Sequence, residues 1–114
     1  MIEVREYVDS RGRLPFREWF RSLDAAVRLK VNTSILRIAE GNVSNLKFLR
    51  DGVFEYKINF GPGYRVYLAK QGEMFVILLG GGTKRRQDAD IETALGRWQD
   101  YKNRRYSVPR EDEL

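Results

Sequence analysis

Neither cysteine nor histidine occurs in the 114 residues. The first absence removes disulfides, thiolate metal sites and thiol nucleophiles together. The second removes the usual neutral-pH general base and the commonest metal ligand. Acid–base chemistry, if the chain performs any, falls to Glu, Asp, Lys or Tyr, and no cofactor or metal is expected. Long apolar runs are also lacking. The longest, Met74 to Leu79, is far too short to span a bilayer. No basic-plus-apolar leader opens the chain, so a cytoplasmic protein is the default expectation.

What is present suffices for one core. Hydrophobic residues make up 42% and aromatics 12%, ordinary for a globular protein, and the length suits one domain over 1–114. No internal repeat or linker interrupts it. The net charge of +5 is unevenly placed: residues 41–87 hold eight basic and three acidic side chains, whereas the flanks nearly cancel. A basic patch on one element attracts polyanions, nucleic acid above all. A merely basic, solubilising surface is the plain alternative.

Hydrophobic spacing sets out the elements. Ile2 and Val4 alternate with Glu3 and Arg5 in a short opening strand. Pro15 suits the first turn of a helix, and Phe16, Trp19, Phe20 and Leu23 follow helical spacing. Asp24 can cap a second helix with Val27, Val31, Ile35 and Ile38 inward and Gly41 past its end. These two form a helical hairpin. A polar loop leads to strands over Val53–Phe60 and Tyr64–Lys70, then to the apolar strand Glu73–Leu79, ended by Gly80-Gly81-Gly82. Asp88 can cap a last helix with Ile91, Leu95, Trp98 and Tyr101 buried. A polar tail frays from about residue 105.

The hairpin carries the chemistry. Side chains alternate along a strand, so Phe54, Tyr56, Ile58 and Phe60 share one face and Glu55, Lys57 and Asn59 the other. On the return strand Tyr64, Val66 and Leu68 face the core, and Arg65, Tyr67 and Ala69 the polar side. A three-residue Gly61-Pro62-Gly63 loop puts Asn59 opposite Arg65 with Lys57 on the diagonal. An Arg65–Glu55 surface pair of no consequence is the alternative. The glycine run with Lys84, Arg85 and Arg86 offers a second anion site of backbone N–H groups before a helix start, or a plain turn. Lys84 leaves the strand expected beside the one carrying Arg65. Lys57, Arg65 and Lys84 then converge on one phosphate, with Tyr67 on the same face to stack a base or donate a hydrogen bond. Asp88, Asp90 and Glu92 read as charges complementing the helix dipole.

Four stretches in this order resemble the RelE/ParE superfamily of toxins from type II toxin–antitoxin systems: Leu14-Pro15-Phe16-Arg17-Glu18-Trp19-Phe20 with Leu23-Asp24, Gly52 to Ile58, Gly61 to Tyr67, and Gly80 to Gln87 with Asp90 and Ile91. The similarity is greatest to the phage-derived addiction-module killer branch, related to HigB. It implies an α+β fold: a small twisted, mainly antiparallel sheet with an N-terminal two-helix hairpin on one face and a C-terminal helix. It implies a ribosome-dependent endoribonuclease (an mRNA interferase) that inhibits translation, or a ParE-like inhibitor of DNA gyrase. A nucleic-acid-binding module without catalysis is the third reading. The expected partners are a small helix-turn-helix antitoxin, the ribosome and mRNA.

The resemblance assigns roles. Arg65 and Lys84 look like the cations that hold the scissile phosphate, and Lys57 or Glu55 the general base. Arg85 or Tyr67 supplies the acid, and Arg85, Arg86, Tyr67 and Asn59 contact RNA. Asn59 stands where RelE has a second lysine. The tyrosine that RelE places after the terminal basic residue has no counterpart among Gln87, Asp88 and Asp90.

Overall fold

The computed structural model describes residues 2–110. They form three helices, α1 (Pro15–Arg21), α2 (Ala25–Ala39) and α3 (Gln87–Arg104), and six strands. The strands are β1 (Glu3–Tyr7), β2 (Leu46–Arg50), β3 (Val53–Ile58), β4 (Tyr64–Gln71), β5 (Phe75–Thr83) and β6 (Ser107–Pro109), in one sheet of order β2-β3-β4-β5-β1-β6. Every neighbouring pair is antiparallel except β1 and β5, which run parallel. The α+β class and mainly antiparallel sheet expected from the sequence are therefore observed. None of the described helices is long and apolar enough to cross a membrane.

Both helices of the N-terminal half lie on one sheet face, for the reason their spacing suggests. Phe16 and Phe20 of α1 and Val27, Val31, Ile35 and Ile38 of α2 recur at helical intervals. They pack on Tyr56, Ile58, Val66, Leu68, Val76 and Leu78 of the sheet. Burying each such side chain contributes about 1.5–3 kcal/mol. Pro15 does occupy the start of α1, and Asp24 sits at the start of α2 but makes no capping hydrogen bond there.

The opposite sheet face is not an open polar surface. Val53, Tyr67, Ala69, Ile77 and Leu79 meet Ala94, Trp98 and Tyr101 of α3 in a second core, where Trp98 and Tyr101 stack with ring centres 5.4 Å apart. Tyr7 of β1 closes this core, and its hydroxyl donates to Asp100 of α3 at 2.6 Å. Alternation along β3 and β4 identified the two faces; it did not say that α3 would cover most of the second.

Three elements differ from expectation. The polar loop before the hairpin contains β2, joined to β3 by Asp51-Gly52 with φ of 52° and 88°, positive at both positions as the tight turns of two-residue hairpins require. β5 continues through the three glycines to Thr83, so they are strand, not an anion-binding turn. The residues frayed in the sequence reading include β6, which pairs with β1 through Arg5↔Pro109, Glu6↔Val108 and Tyr7↔Ser107. The rest of that tail, 111–114, lies outside the described residues.

The glycines of β5 are there for space. An added Cβ on Gly81 would lie 2.4 Å from the Trp19 ring of α1, and one on Gly82 1.9 Å from the Asp90 carboxylate of α3. Helices on opposite faces thus press side chains onto the same short strand segment, which only glycine admits.

Candidate nucleic-acid interface

The β3–β4 pairing sets the site. Lys57 lies directly opposite Arg65, and Ile58 opposite Tyr64. The connecting loop therefore has five residues, Asn59 to Gly63, in place of the expected three. The register moves by two, so the side-chain faces stay as read, but Asn59 leaves the ladder and Lys57 takes its place across from Arg65. Within the loop, Gly63 N–H donates to Phe60 O at 3.1 Å, closing a turn. Lys30 of α2 lies over the Phe60 ring, 5.3 Å from its centre, and ties the loop tip to the helix.

Beside this loop, β5 delivers Lys84. Arg65 pairs with Gly82 and Tyr64 with Thr83, so the chain leaves β5 next to the loop and enters a short 3-10 turn, Lys84–Arg86. The Lys84 N–H donates to Gly63 O at 3.0 Å, and Arg65 Nη1 donates to the same carbonyl at 3.4 Å. Lys57, Asn59, Arg65, Lys84 and the glycine-proline loop line one open concavity of about 310 Å³. No carboxylate lines it. Lys57, Arg65 and Lys84, expected to share a site, all line it.

Behind them is a buried carboxylate. Glu55 and Arg65 are each 4% exposed, and Arg65 Nε stands 3.5 Å from Glu55 Oε1. Glu55 Oε1 also accepts a hydrogen bond from Gln87 Nε2 at 2.6 Å. The pair read as a possible surface contact is thus an interior one, and Gln87 at the head of α3 completes it. Glu55 does not line the concavity; it holds Arg65 at the wall. Gln87 had no assigned role in the sequence reading. Its spacing after Lys84 gave no warning that α3 would fold back over β3.

The remaining site residues separate. Tyr67 is 1% exposed, beneath α3, so it cannot stack on an RNA base from the surface; burial, with the Glu55 and Asp90 charges beside it, pushes its phenol pKa upward. Arg85 is exposed on the 3-10 turn. Arg86 lines a different cavity, with Asp90 and Arg97. Of the eight residues singled out from sequence, Lys57, Asn59, Arg65 and Lys84 share the concavity, and Glu55 backs it.

The chain is 44% identical over 88 residues to an uncharacterized protein of Haemophilus influenzae (strain Rd), a match covering 76% of this chain and 89% of the other. The two belong to one family. No protein-family model matches the sequence. In three dimensions, the chain is similar to Escherichia coli toxin RelE, solved in the free state as a double arginine-to-alanine mutant. The TM-score is 0.63 at 18% identity, over 85% of this chain and 98% of that one. The fold is RelE-like. In that RelE-like fold the concavity sits between the β3–β4 loop and the end of the last long strand, β5.

Proposed function

We propose that this protein is the toxin of a type II toxin–antitoxin module, of the HigB-related addiction-module branch, and a metal-independent endoribonuclease that cuts mRNA on the ribosome. The observation that carries the reading is the convergence of Lys57, Arg65 and Lys84 on one carboxylate-free concavity. The RelE-like fold adds support, as do the four sequence stretches that resemble the superfamily.

The chemistry suited to such a site is transesterification. The 2′-oxygen of a ribose attacks the adjacent phosphorus, the bond from phosphorus to the 5′-oxygen breaks, and a 2′,3′-cyclic phosphate and a 5′-hydroxyl result. Charge builds on the phosphorane oxygens, where preorganised cations stabilise most. Arg65, fixed by Glu55 and Gly63 O, and Lys84, fixed through its own N–H, take that role. Lys57, across from Arg65, receives the 2′-hydroxyl proton in its neutral amine form, the form that neighbouring cations favour. The Lys84 ammonium is the donor for the leaving 5′-oxygen. Asn59 contacts the RNA backbone, and Arg85 extends the cationic edge. The ribosome presents the RNA in the reactive geometry.

The partners in this reading are the ribosome, mRNA and a small helix-turn-helix antitoxin, in the cytoplasm, with the whole chain acting as one domain. Expression in a bacterium, followed by pulse labelling, tests it. Translation should fall before DNA synthesis. Earlier loss of DNA synthesis, with gyrase supercoiling blocked in vitro, would establish a ParE-like inhibitor instead.

A further inference from the structure

A second cavity, of about 250 Å³, lies on the far side of the Lys84–Arg86 turn, between α1 and α3. It exists because the β1–β5 ladder stops at Glu6↔Leu78, so β5 runs on through its glycines paired with β4 on one side and with no strand on the β1 side. The first carbonyl past the ladder, Leu79 O, accepts instead from Arg97 Nη1 at 2.8 Å. Trp19, Tyr67, Arg86, Asp90, Thr93 and Arg97 line the space above those glycines.

Two features mark it as built for a ligand. The Tyr67 hydroxyl is buried in this lining beside the Glu55 and Asp90 carboxylates and makes no hydrogen bond of normal geometry to either. The Asp90 carboxylate lies against Gly82 and faces Arg86 and Arg97, while burial raises its pKa. A half-buried carboxylate in that position gains from N–H donors supplied by a guest.

The wall chemistry selects among planar guests. One side offers a carboxylate acceptor, the other a guanidinium with N–H groups beyond the one given to Leu79 O, and Trp19 adds an aromatic surface. Among the RNA bases, guanine presents two neighbouring N–H donors, at N1 and N2, together with acceptors at O6 and N7, the edge that arginine reads bidentately. Adenine presents an amino donor beside N7, and uracil a single ring N–H.

We propose that this cavity is a guanine pocket, in which Asp90 accepts from N1–H and the 2-amino group, Arg97 donates to O6 and N7, and Tyr67 and Thr93 complete the polar lining. Its place in RNA recognition rests on the nuclease reading; the base chemistry does not. Tyr67 follows Arg65 by two residues on β4, a rise of roughly 7 Å. A guanine held here therefore belongs to a nucleotide next to the phosphate in the cationic concavity.

The test uses the whole chain and free nucleotides, with the Trp19 indole N–H resonance as reporter, assigned with Trp19→Phe. Guanosine 5′-monophosphate should shift it saturably. Adenosine 5′-monophosphate should bind on the order of tenfold or more weaker, and inosine 5′-monophosphate, which lacks the 2-amino group, should fall between. Asp90→Asn should erase the preference while the rest of the spectrum stays folded. Equal responses to all three nucleotides in the unmodified chain, or shifts confined to residues of the cationic concavity, would overturn the pocket without recourse to any variant. Guanosine preference in a chain that fails to cut mRNA would leave the pocket standing and remove the nuclease.

Discussion

The backbone N–H of Lys84 is bound to the carbonyl of Gly63 at 3.0 Å, so the end of β5 and the β3–β4 loop are fastened at the point where the cations meet. This contact uses the main chain of Lys84 and leaves its exposed ammonium for a ligand. Lys84→Ala should therefore keep the fold, with unfolding free energy within about 0.5 kcal/mol of the parent. It should reduce cleavage by on the order of 10²–10³. Urea denaturation beside a ribosomal cleavage assay checks both halves.

Arg65 behaves differently. Its guanidinium is interior and paired with Glu55, so Arg65→Ala leaves a buried carboxylate with Gln87 and the Tyr67 hydroxyl beside it but no cation to pair it. Loss of one member of a buried pair costs on the order of 3–5 kcal/mol, far more than the modest change expected of a surface arginine. Substituting Glu55→Gln in the Arg65→Ala background should restore a large part of that stability and none of the activity. Chemical denaturation of the two variants separates structural from chemical loss.

Gly81→Ala puts a methyl 2.4 Å from the Trp19 ring. Overpacking of this kind costs about 1–3 kcal/mol, and Trp19→Leu should relieve it. A thermal midpoint for Gly81→Ala equal to that of the parent would show that α1 shifts freely on the sheet.

Much of this was legible in the sequence, and the exceptions have physical causes. The α1, α2 and α3 stripes and the parity of β3 against β4 follow from periodicity, which is local. The loop length was not, because a five-residue and a three-residue loop preserve the same faces. β2 was signalled by Asp51-Gly52, the turn chemistry of a tight hairpin, but its exposed Lys47 and Phe48 mask the alternation of an edge strand. The cover over Tyr67 was indicated by Val53, Ala69, Ile77 and Leu79, apolar residues on the face that carries Glu55 and Arg65. Apolar side chains there require a partner, and the Trp98–Tyr101 stripe of α3 provides it. Gly80 to Gly82 read as a turn because glycine for conformational freedom and glycine for space are identical in one sequence.

Charge at the α3–β1 contact makes stability depend on pH. Hydrogen bonds from Arg104 and Tyr7 hold the Asp100 carboxyl at about 2, below its ordinary 3.8. A depressed carboxyl stabilises the fold above the unfolded value and loses that contribution as pH falls through the folded one, so acid weakening should appear between about pH 4 and 2. Burial and the Asp100 contact push the Tyr7 phenol up to about 12 from 10.0. Its contribution is complete below pH 10 and fades toward 12. Asp100→Asn should remove the acid component, measured by denaturation across pH, and phenolate absorbance should show Tyr7 ionising late.

The most direct test of the site is primer extension on mRNA engaged by translating ribosomes, comparing the parent with Lys57→Ala and Lys84→Ala proteins of verified fold. The expected result is discrete cleavage at ribosome-bound codons by the parent, leaving ends with 2′,3′-cyclic phosphate, and its loss in both variants. Cleavage that persists undiminished in the folded variants, or a parent that leaves ribosome-bound mRNA intact, would contradict the assignment of this concavity to phosphate chemistry.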